Sequence, residues 1–253
     1  MHCWPAHAID VDLHRSKRPF LVSKRQAACQ NGRRIVGRGR GSTPPDLLDS
    51  DGLSSMKLDD VITRLLADEA IVYPTSTLPG LGARPTARGL DAVFALKARD
   101  DQKPVSLAVR NLEQAEVLVD VPELAYALID AFPPGSLSLI LPSREVVDAR
   151  LGGQAIAVRC VVHPTALALV DAVGPITATS ANVSGEEPAL DTLVCAERLA
   201  LPPTAAAPGM CPGGLGSTFL RLEGRGEDTE VIVIRAGVVP SMDVMAWVTS
   251  RRA

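Results

Sequence analysis

Five basic side chains stand where they could neutralise an anion. Lys97 and Arg99 form a K-x-R pair, Lys103 follows closely, and Arg159 and Arg235 end the apolar runs AIAVR and VIVIR. A solvated strand face would alternate polar and apolar residues, so a single terminal arginine on such a run points to a ligand. Small hydroxylated segments sit at similar places. Pro74-Thr75-Ser76-Thr77 follows the run IVY, Ser180-Ala181-Asn182 follows ITAT, and Gly216-Ser217-Thr218 precedes FLRL. In open α/β sheets ligands gather at such strand ends. Guanidinium and ammonium groups converging there with hydroxyls and glycine amides suit polyphosphate. Lys97 and Arg99 also have a plainer reading, because basic residues at a helix end complement its dipole.

Other catalytic signatures are missing from the chain: there is no G-x-x-x-x-G-K-[ST] phosphate loop, no G-x-S-x-G elbow and no H-E-x-x-H. Gly80-Leu81-Gly82 starts like a dinucleotide fingerprint, but Pro85 stands where a third glycine belongs. Cys3, Cys29, Cys160, Cys195 and Cys211 show no paired spacing and the four histidines are scattered, so no structural zinc site or other metal site is expected. An unpatterned, odd cysteine count suits a reducing cytoplasm. His163, just before Pro164, reads as a residue that positions a helix start, Cys160 as a small apolar filler and Trp247 as core.

The elements that must position these residues follow from periodicity. Leu58, Val61, Ile62, Leu65 and Leu66 share a helical face, with Ser54 and Ser55 as capping-type residues before it. Strand Ala70–Tyr73 comes next, then a helix over Leu90–Leu96. Strand Val105–Val109 precedes a helix capped by Asn111 and running to Leu118. Pro122 is placed as the first residue of the next helix, to Phe132. Further strands are expected at Leu137–Leu141, Ala155–Arg159, Ile176–Thr179, Thr218–Leu222 and Val231–Arg235. Further helices are expected at Pro164–Val173, near Leu193–Leu199, and at Met242–Thr249. This interleaving predicts an α/β fold, a twisted mixed sheet flanked by helices, without a strict β-α-β repeat.

The net charge of −3 is uneven: residues 1–55 carry nine Lys/Arg against five Asp/Glu, and residues 56–253 carry seventeen against twenty-four. Residues 1–55 lack periodicity and are expected to form a disordered basic extension, with Met56 a candidate true start; a basic arm that contacts RNA is the alternative. Residues 56–253 are expected to form a single globular domain, which the resemblance described next would make catalytic. The stretch HRSKRPFLVSKRQ has no continuous apolar core, so no secretory leader is expected. The charge-free run Leu199–Leu220 is broken by four prolines, so no membrane span is expected.

Taken in order, the blocks resemble one family, the YrdC-type threonylcarbamoyl-adenylate synthases, over roughly Met56 to Val248. Pro74-Thr75-Ser76-Thr77 resembles PTET, Lys97-Ala98-Arg99 with Gln102-Lys103-Pro104 resembles K-x-R(P) and the segment after it, and FPPGSLSLIL resembles WPGP-x-T-x-x-L. Ala157-Val158-Arg159 with His163-Pro164 resembles AVR-x-P-x-HP, Ser180 to Gly185 matches SAN-x-SG, and Gly214-x-x-Ser217-Thr218 with Arg235-x-Gly237 resembles G-x-x-ST and LRPG. The resemblance implies a fold with a concave basic cleft. It implies ATP binding by Lys97, Arg99, Lys103, Asn182 and Arg235, with Lys97 and Arg99 catalytic. Threonine binding falls on Thr75, Arg159, Ser180 and Ser217. The implied reaction joins L-threonine, bicarbonate and ATP into threonylcarbamoyl-AMP and pyrophosphate, with Mg²⁺ on the phosphates, for modification of tRNA by downstream threonylcarbamoyl-transferase proteins. Ser76, Pro79, Ala108, Ser136 and Val161 depart from the family pattern, mostly in the amino-acid half of the site. Two other readings stay open: another carbamoyl-adenylate-forming enzyme, and a tRNA- or double-stranded-RNA-binding module without catalysis.

Overall fold

The alternation of short apolar runs and amphipathic segments resolves into one mixed sheet. The structure, a computed structural model, describes residues 50–98, 100, 103–224 and 226–252, with residues 50–57, 227 and 252 described by backbone alone. The first half holds α1 (Ser50–Leu66), β1 (Ile71–Tyr73), β2 (Gly80–Gly82), α2 (Ala87–Lys97), β3 (Ser106–Val109), α3 (Leu112–Ala115) and α4 (Glu123–Ala131). The second holds β4 (Leu137–Pro142), β5 (Ala155–Cys160), α5 (Pro164–Val173), β6 (Ile176–Ser180), α6 (Thr192–Arg198), β7 (Thr218–Glu223), β8 (Glu230–Arg235) and α7 (Ser241–Arg252). The sheet order is β1-β2-β6-β3-β5-β4-β7-β8, parallel only at β3/β5 and β4/β7 among the described residues. Also among the described residues, no helix is long and apolar enough to cross a membrane.

The registers assign the two faces. Val72, Leu81, Leu107, Val158, Leu139, Leu220 and Val233 are linked by pairing across the sheet and point one way. They pack with Leu90, Val93 and Phe94 of α2, Leu128 of α4, Cys195 of α6 and Val244 of α7 into the main core. The opposite face is covered at the β1 end alone. There Ile71, Tyr73, Ala108 and Ile176 pack under Val61 and Leu65 of α1 and Ala166, Leu169 and Val170 of α5. Toward β8, Ile140, Ala157, Phe219 and Ile232 belong to neither cluster. On that half Ile140, Ala157 and Phe219 are half-buried and Ile232 is exposed, so the face is only partly covered.

Three local expectations need correction. The first helix runs from Ser50, so Ser54 and Ser55 lie inside it rather than capping it. Serine has a middling helix propensity, and nothing in SSMKL stops a helix already under way. Pro122 is the N-cap of α4, extended at φ −74° and ψ 154°, and the helix begins at Glu123. Asn111 does cap α3, its side chain accepting from the Gln114 N–H at 2.9 Å. That helix ends at Ala115 rather than at Leu118, because the Val119 backbone bridges Ser143 and Asp120 N–H donates to Pro142 O. The extended pairing wins over one more helical turn.

Candidate functional site

The open half-face is built from residues that register pairing lines up. Ala108 on β3, under the covering helices, pairs with Arg159 on β5, so Arg159 stands on the same face where the cover ends. Ser138 on β4 pairs with Phe219 on β7, and Phe219 pairs with Arg235 on β8. The two arginines thus share a face.

Arg159 is half-buried, and its contacts are all uncharged. Its Nε donates to Gly135 O at 3.0 Å, and its Nη2 donates to Ser76 Oγ and Thr77 Oγ1, both at 3.1 Å. Among the described residues no carboxylate lies within ion-pair distance of it. Burial pulls its pKa below the usual arginine value; Tyr73 and Cys211 oppose that pull and the charge of Arg235 adds to it. Arg235 is also lowered by burial, and its Nη2 donates to Ser217 O at 3.1 Å. Two neighbouring cations with no carboxylate beside them among the described residues are an arrangement able to hold an anion.

The loop after β1 supports Arg159. Thr75 Oγ1 donates to Leu78 O at 2.7 Å and accepts from Thr77 N–H at 3.2 Å, a turn closed on itself. From outside, Gly213 N–H donates to Thr77 O at 2.9 Å, and Thr75 N–H donates to Cys211 Sγ at 3.3 Å. Gly135, at φ +74°, approaches so closely that a Cβ there would meet Ser76 Oγ at 2.7 Å. Ser76 and Gly135 therefore form the wall on which the guanidinium rests.

Lys97 is buried, 2% exposed, at the end of α2. Its Nζ donates to Ser180 O at 2.5 Å, Asn182 O at 2.7 Å and Asn182 Oδ1 at 3.3 Å. Asn182 Nδ2 in turn donates to Val183 O and Glu186 O, and Ser184 N–H donates to Lys97 O. Lys97 and Asn182 thus hold the Ser180–Gly185 loop in shape. After Lys97 the chain turns through Ala98 in the left-handed region, φ 46°. Arg99, and Gln102 of the following segment, lie outside the described residues. Lys103 is exposed just before β3, where its N–H donates to Asp100 O.

Ser217 is buried and shares a 2.7 Å hydrogen bond with Ser138 Oγ. The glycine of the R-x-G block has a steric reason. A Cβ on Gly237 would stand 2.3 Å from Gly216 O and 2.5 Å from the Ser217 carbonyl carbon. The chain after β8 can close over Gly216-Ser217 only without that atom, and Val238 N–H then donates to Gly216 O. His163 caps α5, Nδ1 accepting from Thr165 N–H at 3.2 Å, a positioning job. Cys160 is buried with its thiol pushed up to about 12, the state of a filler rather than a nucleophile. Trp247 is half-buried against the main core, edge-on to Phe132 at 5.9 Å.

Of the residues named from the sequence, Thr75, Arg159, Ser217 and Arg235 are joined directly or through shared neighbours, and Lys97, Ser180 and Asn182 form a separate hydrogen-bonded group. Sequence reasoning missed the contributions of Ser138, Cys211 and Phe219. Ser136 and Ser138, spaced by two in an apolar strand, were the available signal for the first. Cys211 carried none, because its partner Thr75 is distant in sequence.

The family model described as telomere recombination, Sua5/YciO/YrdC, matches residues 63–237. The chain belongs to the Sua5/YciO/YrdC family. Among family relatives, the threonylcarbamoyl-AMP synthase of Bacillus subtilis is 35% identical over 149 residues, 56% of this chain and 42% of that protein. The threonylcarbamoyl-AMP synthase of Pyrococcus abyssi is 38% identical over 121 residues, 46% of this chain and 36% of that protein. A putative threonylcarbamoyl-AMP synthase of Methanocaldococcus jannaschii is 30% identical over 178 residues, covering 70% of this chain and 83% of that one. Among solved structures, P. abyssi Sua5 complexed with L-threonine superposes with a TM-score of 0.66 at 29% identity, over 76% of this chain and 57% of that chain. The matched region is thus less than half the length of the first two curated relatives.

Proposed function

We propose that the chain is a threonylcarbamoyl-AMP synthase, joining L-threonine, bicarbonate and ATP and releasing pyrophosphate. The observation that carries this reading is the pair Arg159 and Arg235 on one uncovered sheet face, partly dry and without a carboxylate partner among the described residues. Such a site needs a ligand with at least two anionic groups, and an amino-acid carboxylate beside a triphosphate supplies them. The names of the family relatives and the L-threonine in the P. abyssi Sua5 structure agree with it.

In this account Arg159 takes the threonine carboxylate, with Ser76 and Thr77 fixing its plane. The threonine amine adds to carbon dioxide derived from bicarbonate and loses a proton, giving a carbamate. A carbamate oxygen attacks the ATP α-phosphorus, and the α–β bridging oxygen leaves with pyrophosphate. Arg235, Arg99 and Lys103 offset phosphate charge, while Lys97 holds the Ser180–Asn182 loop that faces the nucleotide. Chemistry of this kind depends on positioning and charge neutralisation more than on a dedicated base, which fits a site with no acid at its centre.

Among the described residues no group of three or more His, Cys, Asp or Glu could hold a metal ion. The donor set does not fit a protein-held Mg²⁺, so a Mg²⁺ here would arrive on the ATP phosphates. With ATP, L-threonine and labelled bicarbonate, the label should appear in an AMP-linked product that cold threonine dilutes. ATP left intact, or label absent from any nucleotide product, would contradict the assignment.

A further inference from the structure

We infer that Phe219 is a positioning residue for phosphate binding, its ring holding the Arg235 guanidinium on the open face beside Arg159. The inference rests on the proposed reading of Arg235 as a phosphate ligand and extends it to a residue outside every motif block.

The first observation is the register. From Leu220↔Val233 to Glu223↔Glu230 the β7/β8 ladder is regular, and its continuation would set Phe219 opposite Ile234. Instead a bulge between Phe219 and Leu220 sets Phe219 opposite Arg235. A bulge re-aims one side chain while leaving the rest of the ladder intact. Here it turns the arginine onto the ring, with the guanidinium carbon 4.2 Å from the centroid. That is well inside the roughly 6 Å reach of a cation–π contact.

The second observation is how little else holds Arg235. Among the described residues its guanidinium makes one hydrogen bond, to Ser217 O, and no ion pair. Burial of the guanidinium further disfavours its charge, and Arg235 in turn lowers the pKa of Arg159. A long side chain so placed would swing to solvent, since ordering it costs rotamer freedom. The ring offers a face that attracts the cation and leaves the outer N–H groups for an anion. Phe219 itself is only half-buried and belongs to neither core cluster, so packing does not account for it.

The test is calorimetric titration of the full chain with inorganic pyrophosphate, which needs no turnover. Phe219→Leu should weaken pyrophosphate about three- to tenfold, in line with the range of such contacts, and leave L-threonine affinity and the thermal midpoint unchanged. Phe219→Tyr should restore binding to within about twofold. Arg235→Gln should weaken binding at least as much, and adding Phe219→Leu to it should cause no further loss. If Phe219→Leu does not fold, Phe219→Met serves in its place. Equal losses from Phe219→Leu with and without Arg235, or no loss while Arg235→Gln weakens binding, would overturn the inference alone. If Arg235→Gln binds pyrophosphate normally, the reading of Arg235 fails and the inference falls with it.

Discussion

At Arg159 the chain keeps a cation in a partly dry place, fixed by a carbonyl and two hydroxyls. Nothing in that set neutralises it, so a bound carboxylate gains a charge-assisted pair at small reorganisation. Replacing Arg159 with Ala should cost about 1.5–3 kcal/mol, roughly ten- to a hundredfold in L-threonine affinity. ATP affinity should change far less; titration of each ligand separately checks this, and equal losses for both would show the division of the site to be wrong. The thiols give a second expectation at this scale. Cys160, Cys195 and Cys211 are buried, and burial raises the pKa of each. Reactivity follows the thiolate, so all three should resist iodoacetamide at neutral pH and label once urea unfolds the chain. Mass mapping of the labelled sites reads this out, and fast native labelling of Cys211 would mean that the segment over Thr75 opens. Arg159 and Arg235 could be singled out in the sequence because a charge closing an apolar strand has few structural uses. Phe219 could not, because one shifted ladder pair gives it meaning and no local pattern records that shift.

Among the elements, the strands and most helices were written in periodicity, and α5 appears with the bounds its capping residues and glycine announce. The strand that stayed hidden is β2. Gly80-Leu81-Gly82 has poor strand propensity, and its reason is distant: a Cβ on Gly80 or Gly82 would stand 2.7 or 2.9 Å from the Tyr73 ring. The ring lies flat on the glycines, and its hydroxyl donates to Thr177 O at 3.2 Å. Gly82→Ala would also push a methyl to 2.5 Å from Thr177 O. It should destabilise by about 1–3 kcal/mol, the range for overpacking. Urea denaturation measures it, and an unchanged midpoint would contradict the packing argument. Gly237→Ala tests the other end of the sheet, where the obstacle is backbone. It should weaken pyrophosphate binding more than it lowers stability, because the displaced segment is the one that seats Arg235.

For the whole molecule, the sequence was enough to place the fold class and the order of blocks, because each block is a strand end fixed by its own short pattern. What it could not show is which half of the sheet stays uncovered, since that depends on α1 and α5 packing together over the β1 end. A chain beginning at Met56 retains Leu58, Val61, Ile62 and Leu65, the residues that make that cover. We therefore expect its thermal midpoint within about 2–4 °C of the full chain, the shift of roughly 1 kcal/mol at this size, with unchanged turnover. A larger drop would mean that the opening of α1, Ser50–Ser55, or the chain before it contributes to stability or to the site. If three substrates are joined at one anion site, pyrophosphate release depends on every one of them, which assays omitting each substrate in turn measure. Release is expected only when ATP, L-threonine and bicarbonate are all present. Equal release without L-threonine would contradict it.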